Sequence, residues 1–100
     1  MSFRVSVAPS AREQVRSIGL WWLTHREKAP TLFEDELARA LTLLAEAPQL
    51  GARVRSRRAE VRRLLLRASG YHVYYAVDLQ AEVVEVLAVW HGARGRGPRL

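Results

Sequence analysis

One hundred residues, 49% of them hydrophobic and 26% charged, set the expectation of a single globular domain spanning 1–100 and argue against disorder or a low-complexity chain. The absence of cysteine excludes disulfides, thiolate metal sites and cysteine nucleophiles, while no apolar run approaches the roughly 20 residues of a membrane span and no signal-peptide core follows Met1, so a cytoplasmic protein is expected. The net charge of +6 lies wholly in the second half: residues 1–50 balance six basic against six acidic groups, whereas residues 51–100 set ten arginines against Glu60, Asp78, Glu82 and Glu85. Seven of those arginines fall between Arg53 and Arg67, a block that predicts an anionic partner, either nucleic acid or an acidic protein segment. Fifteen arginines to one lysine is also what codon bias produces, so no single arginine is functional on this ground alone.

Phe3, Val5 and Val7 alternate with polar residues in the period of a half-buried strand that stops at Pro9. Ser10-Ala11-Arg12-Glu13 reads as a capping box, and Ala11, Val15, Ile18 and Trp22 then form one apolar stripe of a helix that runs to about Glu27, with Trp21 flanking it. Gly19 inside this helix suggests a close helix-to-helix contact. After Pro30, Thr31 and Glu34 offer a second capping box for a helix whose inner face is Phe33, Leu37, Ala40, Leu41 and Leu44, ending at Pro48-Gln49-Leu50-Gly51. About three residues separate the helices, which predicts an antiparallel helical hairpin. Leu20, Trp21, Leu32 and Leu43 exceed what one stripe per helix can bury, and such a surplus predicts a partner surface.

Beyond Gly51 the period becomes two. Val54 among arginines is a short strand or a rim loop. Residues 60–68 place Arg62, Leu64, Leu66 and Ala68 on one face and Val61, Arg63, Leu65 and Arg67 on the other. Ser69-Gly70 turns the chain into a strand with Tyr71, Val73, Tyr75 and Val77 on one face and His72, Tyr74 and Asp78 opposite. A further turn at Leu79-Gln80-Ala81 leads to the apolar run Val83 to Trp90, which reads as a central strand covered on both sides. Residues 95–100 belong to a flexible tail. Strand, two helices and a meander make an α+β domain: β-α-α-β-β-β, with an optional further strand, in an antiparallel-type sheet with a helical hairpin on one face.

His25, His72 and His91 are too scattered for a metal site, no glycine-rich phosphate loop precedes a helix and no nucleophile elbow is present, so neither metal nor cofactor is expected. What remains is a cluster of Arg62, Arg63, Tyr71, His72, Tyr74, Tyr75, Trp90, His91 and Arg94. Arginines beside exposed aromatics hold phosphates and stack bases, so an open sheet face can receive single-stranded nucleic acid. Tyr71 and Tyr75, sharing a face with Val73 and Val77, have the pattern of core packing, and Trp90 that of a core anchor. A histidine such as His91 commonly just bonds a backbone group.

The strand pair Val61-Arg62-Arg63-Leu64-Leu65-Leu66 and Tyr71-His72-Val73-Tyr74-Tyr75-Ala76-Val77, followed by Val84 to Trp90 and then His91-Gly92-Ala93-Arg94, resembles the RelE/ParE superfamily of toxins. Ala11 opening the first helix, Trp22 near its end and Pro48-Gln49-Leu50-Gly51 closing the second agree with it, and the likeness covers residues 3–94. The resemblance implies a RelE-like fold whose first strand pairs with the last, and the toxin half of a type II toxin-antitoxin module, silenced in a hetero-oligomer by a cognate antitoxin. It also implies one of two targets: messenger RNA cut on the ribosome by RelE-like members, or DNA gyrase poisoned by ParE-like members. Metal-free RNA cleavage needs a base, a cation and an acid around one phosphate. The candidates for those roles are Glu60 or His91 as base and Arg62, Arg63 or Arg94 as cation. No tyrosine follows His91 and the lysines of many ribonuclease members are missing, which favours the ParE-like, non-enzymatic reading; a basic nucleic-acid-binding module without toxicity is the remaining alternative. Arg53, Arg55, Arg57, Arg58 and Trp21 are the expected partner-binding residues.

Overall fold

The computed structural model describes residues 2–58 and 60–100; Met1 and Ala59 lie outside the described residues. The elements are β1 (Arg4–Val7), α1 (Pro9–His25), α2 (Leu32–Glu46), β2 (Ala52–Val54), β3 (Val61–Leu66), β4 (Tyr71–Asp78) and β5 (Val83–His91). They form one five-stranded sheet in the order β1-β5-β4-β3-β2, with β1 parallel to β5 and the other neighbours antiparallel. The apolar run of β5 therefore sits inside the sheet, with Val84, Val86, Leu87, Ala88 and Val89 all buried. Val54 belongs to a strand, the edge strand β2.

The helical hairpin covers one face. Ala11, Trp22, Phe33, Leu37, Ala40 and Leu44 from the helices pack with Leu66, Val73, Tyr75, Val77, Val84, Val86 and Val89 from the sheet. Burying a side chain the size of Phe33 or Leu44 contributes roughly 1.5–3 kcal/mol, so this interface dominates stability. Gly19 is the close contact between helices: a Cβ there would lie 3.1 Å from Glu34 Oε2 at the start of α2.

α1 begins earlier than the sequence pattern, whereas α2 begins behind the expected cap, Thr31. α1 starts at Pro9, with Ala8 as N-cap and no side-chain cap, because proline at the first helical position supplies a suitable φ and its missing amide is one that the helix leaves unpaired in any case. Ser10 thus lies inside the helix, and Glu13 pairs with Arg16 instead (3.0 Å). Thr31 is the N-cap of α2, yet its hydroxyl donates to Asp35 (3.0 Å) and Glu34 turns toward Gly19, so neither capping box forms. α1 ends at His25 and the connection spans residues 26–31, longer than the spacing suggested. Leu20, Trp21 and Leu43 are exposed as expected, whereas Leu32 packs partly buried against the core.

Three polar contacts fix the hairpin to the sheet. The Glu36 carboxylate accepts from the Ala68 and Ser69 amides (2.7 and 3.0 Å) and the Ser69 hydroxyl (2.7 Å), tying α2 to the β3–β4 turn, where Gly70 adopts φ 85°. The Gly51 amide donates to the hydroxyl of fully buried Tyr75 (2.8 Å), and a Cβ at Gly51 would come within 2.7 Å of that hydroxyl and of the Arg63 carbonyl. β1 ends at Val7 opposite Val86, so the β5 edge beyond has no strand beside it, and Gln14 of α1 accepts the Val89 amide there (2.8 Å).

Burial opposes ionisation of Glu36, but the bonds from Ser69 and Ala68 and the charge of Arg39 outweigh it and hold the carboxyl below the ordinary range. A depressed folded pKa means that the stability it adds is complete above the unfolded value and is lost as pH falls through the folded one. Glu36→Ala should cost about 1–3 kcal/mol in urea unfolding at pH 7, with the deficit against wild type shrinking in acid; an unchanged deficit at low pH would contradict the assignment.

Candidate functional site

Strand register assigns each side chain of the predicted cluster to a face. Partners across β3, β4 and β5 run Leu64↔Val73↔Val89 and Leu66↔Tyr71↔His91 on the helix side, and Arg63↔Tyr74↔Ala88 and Leu65↔His72↔Trp90 on the open side. The cluster is therefore two groups. Arg62, Tyr71, Tyr75 and His91 face the helices, while Arg63, His72, Tyr74 and Trp90 face away. Tyr75 is a core residue and Tyr71 stacks edge-on with Phe33 (5.1 Å), in line with the packing pattern of their strand.

Glu60 and Arg62 are consumed by each other. Arg62 Nε donates to Glu60 Oε2 at 2.7 Å, both side chains being only 14% exposed, and Arg62 Nη1 donates to the carbonyls of Gly51 (2.7 Å) and Gln49 (3.2 Å). The bond from Arg62 holds the Glu60 carboxyl below its ordinary value, against a smaller opposing effect of burial. Such a carboxylate is a weak proton acceptor, and the pair fastens the α2–β2 connection to β3. Glu60 is also remote from the other candidate base: its carbonyl accepts the Val77 amide, while His91 pairs with Tyr71, six positions along β4, or about 20 Å away.

His91 lies edge-on to Tyr71 (4.8 Å), accepts the Ala93 amide at Nδ1 (3.0 Å), and sits over Gly70, where a Cβ would reach 3.2 Å from Nε2. The accepting Nδ1 leaves the ring proton of the neutral form on Nε2. Arg94 stands over the Trp90 ring with Cζ 4.4 Å from its centroid, and Trp90 Nε1 donates to the Arg96 carbonyl (2.7 Å). The tail thus folds back over the open face, and a Cβ on Gly97 would approach the Tyr74 hydroxyl to 3.1 Å. Tyr71, Trp90, His91 and Arg94, together with Trp21 and Gln14 of α1, border a cleft of about 970 Å³. Trp21 itself stacks on His25 (4.7 Å) beneath Arg26.

On the open face Arg63 is exposed, and among the described residues no hydrogen bond or ion pair engages its guanidinium. His72 sits beside it: burial, followed by the charges of Arg63 and His91, pushes the His72 pKa down, so the ring is neutral at pH 7. Spacing placed His72 on this face but gave no sign of its lowered basicity, which arises from tertiary burial. Of the rim arginines, Arg53, Arg55 and Arg57 are exposed, and Arg58 reaches over the sheet to Glu85 (3.4 Å) as an exposed pair. Among the described residues no group of three potential metal ligands converges, and no helix is long and apolar enough to cross a membrane.

The sequence profile of the family described as ParE toxin of type II toxin-antitoxin system, parDE, matches residues 5–95. No curated protein matches the chain in sequence. Among solved structures the chain is similar to the isolated E. coli RelE toxin, at 21% identity and a TM-score of 0.69 over 95% of this chain and 89% of that one. It is similar to the toxin fold in the intact E. coli RelBE toxin-antitoxin complex, at 22% identity and TM-score 0.69 over 93% and 100%. The archaeal RelE-RelB complex from Pyrococcus horikoshii matches at 17% identity and TM-score 0.66 over 95% and 100%. At these identities the likeness is one of fold.

The two neighbouring arginines of β3 should behave oppositely on substitution. Arg62→Gln, which leaves Glu60 and two carbonyls without their donor, should lower stability by about 2 kcal/mol, whereas Arg63→Gln should change it by no more than about 0.5 kcal/mol. Equal losses in denaturant titrations would remove the distinction.

Proposed function

The chain belongs to the ParE toxins of type II toxin-antitoxin systems, within the RelE/ParE superfamily, and from that premise we propose that it arrests growth by binding and poisoning DNA gyrase rather than by cutting messenger RNA. As the toxin of such a module it has an antitoxin as its partner. The observation that carries the gyrase reading is the Glu60–Arg62 pair. A ribonuclease must gather base, cation and acid around one phosphate, yet here one candidate base and one candidate cation neutralise each other about 20 Å along the sheet from His91. His91 and Arg94 do border one cleft, with His91 turned to the helices, but Glu60 and Arg62 lie far from it. A binding surface tolerates that dispersal; a catalytic constellation does not. The profile match to ParE over residues 5–95 points the same way.

The second reading, ribosome-dependent cleavage of messenger RNA, draws support from the RelE toxins of similar fold and from Arg63 standing beside a neutral His72. Purified toxin decides between them. On the proposed reading it inhibits supercoiling by gyrase and traps cleaved DNA, while messages on ribosomes remain whole. Codon-positioned cuts that disappear in His91→Ala or His72→Ala would reverse the order.

The antitoxin is expected to lie across the helical hairpin and the edge strand β2, covering exposed Leu20, Trp21 and Leu43 and setting acidic groups against Arg53, Arg55, Arg57 and Arg58. Rim charges act mainly by steering. Changing these four arginines to glutamine should slow antitoxin association far more at low salt than at high salt, with the fold retained; a salt-independent loss in stopped-flow binding would assign them direct contacts instead.

A further inference from the structure

Strand β1 stops short of its neighbour, and the space beyond it is open. β1 pairs with β5 only as far as Val7 opposite Val86, after which the chain turns into α1 and the last residues of β5 run on without a strand beside them. Between that edge and α1 lies the cleft of about 970 Å³, with Ile18 and Trp21 on the helix wall and Tyr71, Trp90 and His91 on the sheet wall. Backbone groups alternate in direction along a strand, so the register that turns the Val89 amide toward Gln14 turns the Val89 carbonyl and the His91 amide to the same side. Among the described residues neither of these two groups has a hydrogen-bond partner. The charged residues at the cleft are Glu13, paired with Arg16 (3.0 Å), and Arg94, which lies on Trp90 with no carboxylate bound to it among the described residues.

We infer that this cleft takes one extended segment of gyrase, which adds to the sheet as a parallel strand continuing the line of β1. The inference rests on the gyrase reading for the source of the segment. The two free groups fix its direction. In a parallel ladder one residue placed opposite Trp90 accepts the His91 amide and donates to the Val89 carbonyl, the same bridge that β1 makes on β5, where Arg4 is opposite Val83 and its amide donates to the Glu82 carbonyl. An antiparallel strand would instead need the Val89 amide or the His91 carbonyl, which Gln14 and the Arg94 amide already engage. Paired residues share a face, so the bridging residue stands on the open side beside Trp90 and Arg94, where a carboxylate completes the cation. Its two neighbours turn toward Ile18, Trp21 and Tyr71, where apolar side chains displace water. The occupant is thus an extended run with an acidic residue between two apolar ones. The antitoxin's expected footprint, the outer face of the hairpin and β2, meets the cleft at Trp21, so an antitoxin seated there would close the mouth and exclude gyrase.

Hydrogen-deuterium exchange of the antitoxin-free toxin, alone and with purified gyrase, tests this at single amides. The His91 amide should exchange fast in the free toxin and slow by about tenfold or more in the complex, while the amides of β2 stay unchanged. Arg94→Gln should weaken gyrase binding by about tenfold, the worth of one charge-assisted bond, and Arg94→Lys should recover part of the loss. Ser17 is exposed at the rim of the cleft on α1, so Ser17→Trp should obstruct binding with circular dichroism matching wild type. A His91 amide already protected in the free toxin, or protection by gyrase that falls elsewhere, overturns the proposal, as does protection by the antitoxin with none by gyrase. If wild type and Ser17→Trp inhibit supercoiling alike, the cleft falls while the gyrase reading stands; if wild-type toxin neither binds gyrase nor blocks supercoiling, that reading falls and the proposed occupant with it.

Discussion

The arrangement of this molecule turns on one extra residue in its central strand. Tyr75 pairs with Val86 and Tyr74 with Ala88, which leaves Leu87 as a bulge in β5. Before it Val84 and Val86 point into the helical core, and after it the same side is occupied by Val89 and His91. Without the bulge the alternation would carry Ala88 and Trp90 to the helices and His91 to the open side, since a one-residue slip reverses every later side chain. Placing Trp90 outward gives Arg94 its platform and the tail its anchor at the indole. Placing His91 inward sets it against Tyr71 and over Gly70.

Helix α1 is fitted to the same strand. β1 is short and ends opposite Val86, so β5 would present a bare edge amide at Val89 just beyond the bulge, and the Gln14 side chain takes it. An unpaired amide in that partly buried position costs about 1–3 kcal/mol, so Gln14 fixes where α1 lies along β5 as well as satisfying a donor. Across the sheet, Glu36 does the equivalent for α2 at the β3–β4 turn, and Arg62 for the chain entering β2. Each clamp is a side chain serving backbone groups that the ladder leaves unpaired.

This division explains how a strongly basic toxin can be stable without spending its charge. Arg62 is a structural arginine, sunk between a carboxylate and two carbonyls, whereas Arg53, Arg55, Arg57 and Arg63 remain exposed. The free cations surround the open face and edge strand β2, and the neutral half of the chain supplies the hairpin and β1. Exposed charge is therefore concentrated on the sheet, and the exposed apolar side chains Leu20, Trp21 and Leu43 lie on the helices.

Local pattern was enough for much of this. Apolar periods of 3.6 and 2 placed both helices, their inner faces and the opposed faces of β3 and β4, because a side chain's direction within a regular element depends only on its spacing. The central position of β5 was legible in its unbroken apolar run, and the order of elements together with His91-Gly92-Ala93-Arg94 carried the family resemblance. Spacing did not reveal that Pro9 would displace the Ser10 capping box, that Glu60 would be spent on Arg62, or that Leu87 would bulge. These outcomes depend on which groups from distant segments compete for the same amide, carbonyl or cation. A run such as Val-Leu-Ala-Val-Trp-His is compatible with either facing of its last two residues, and only the packing of β5 between β1, β4 and α1 decides that Trp90 looks out and His91 looks in.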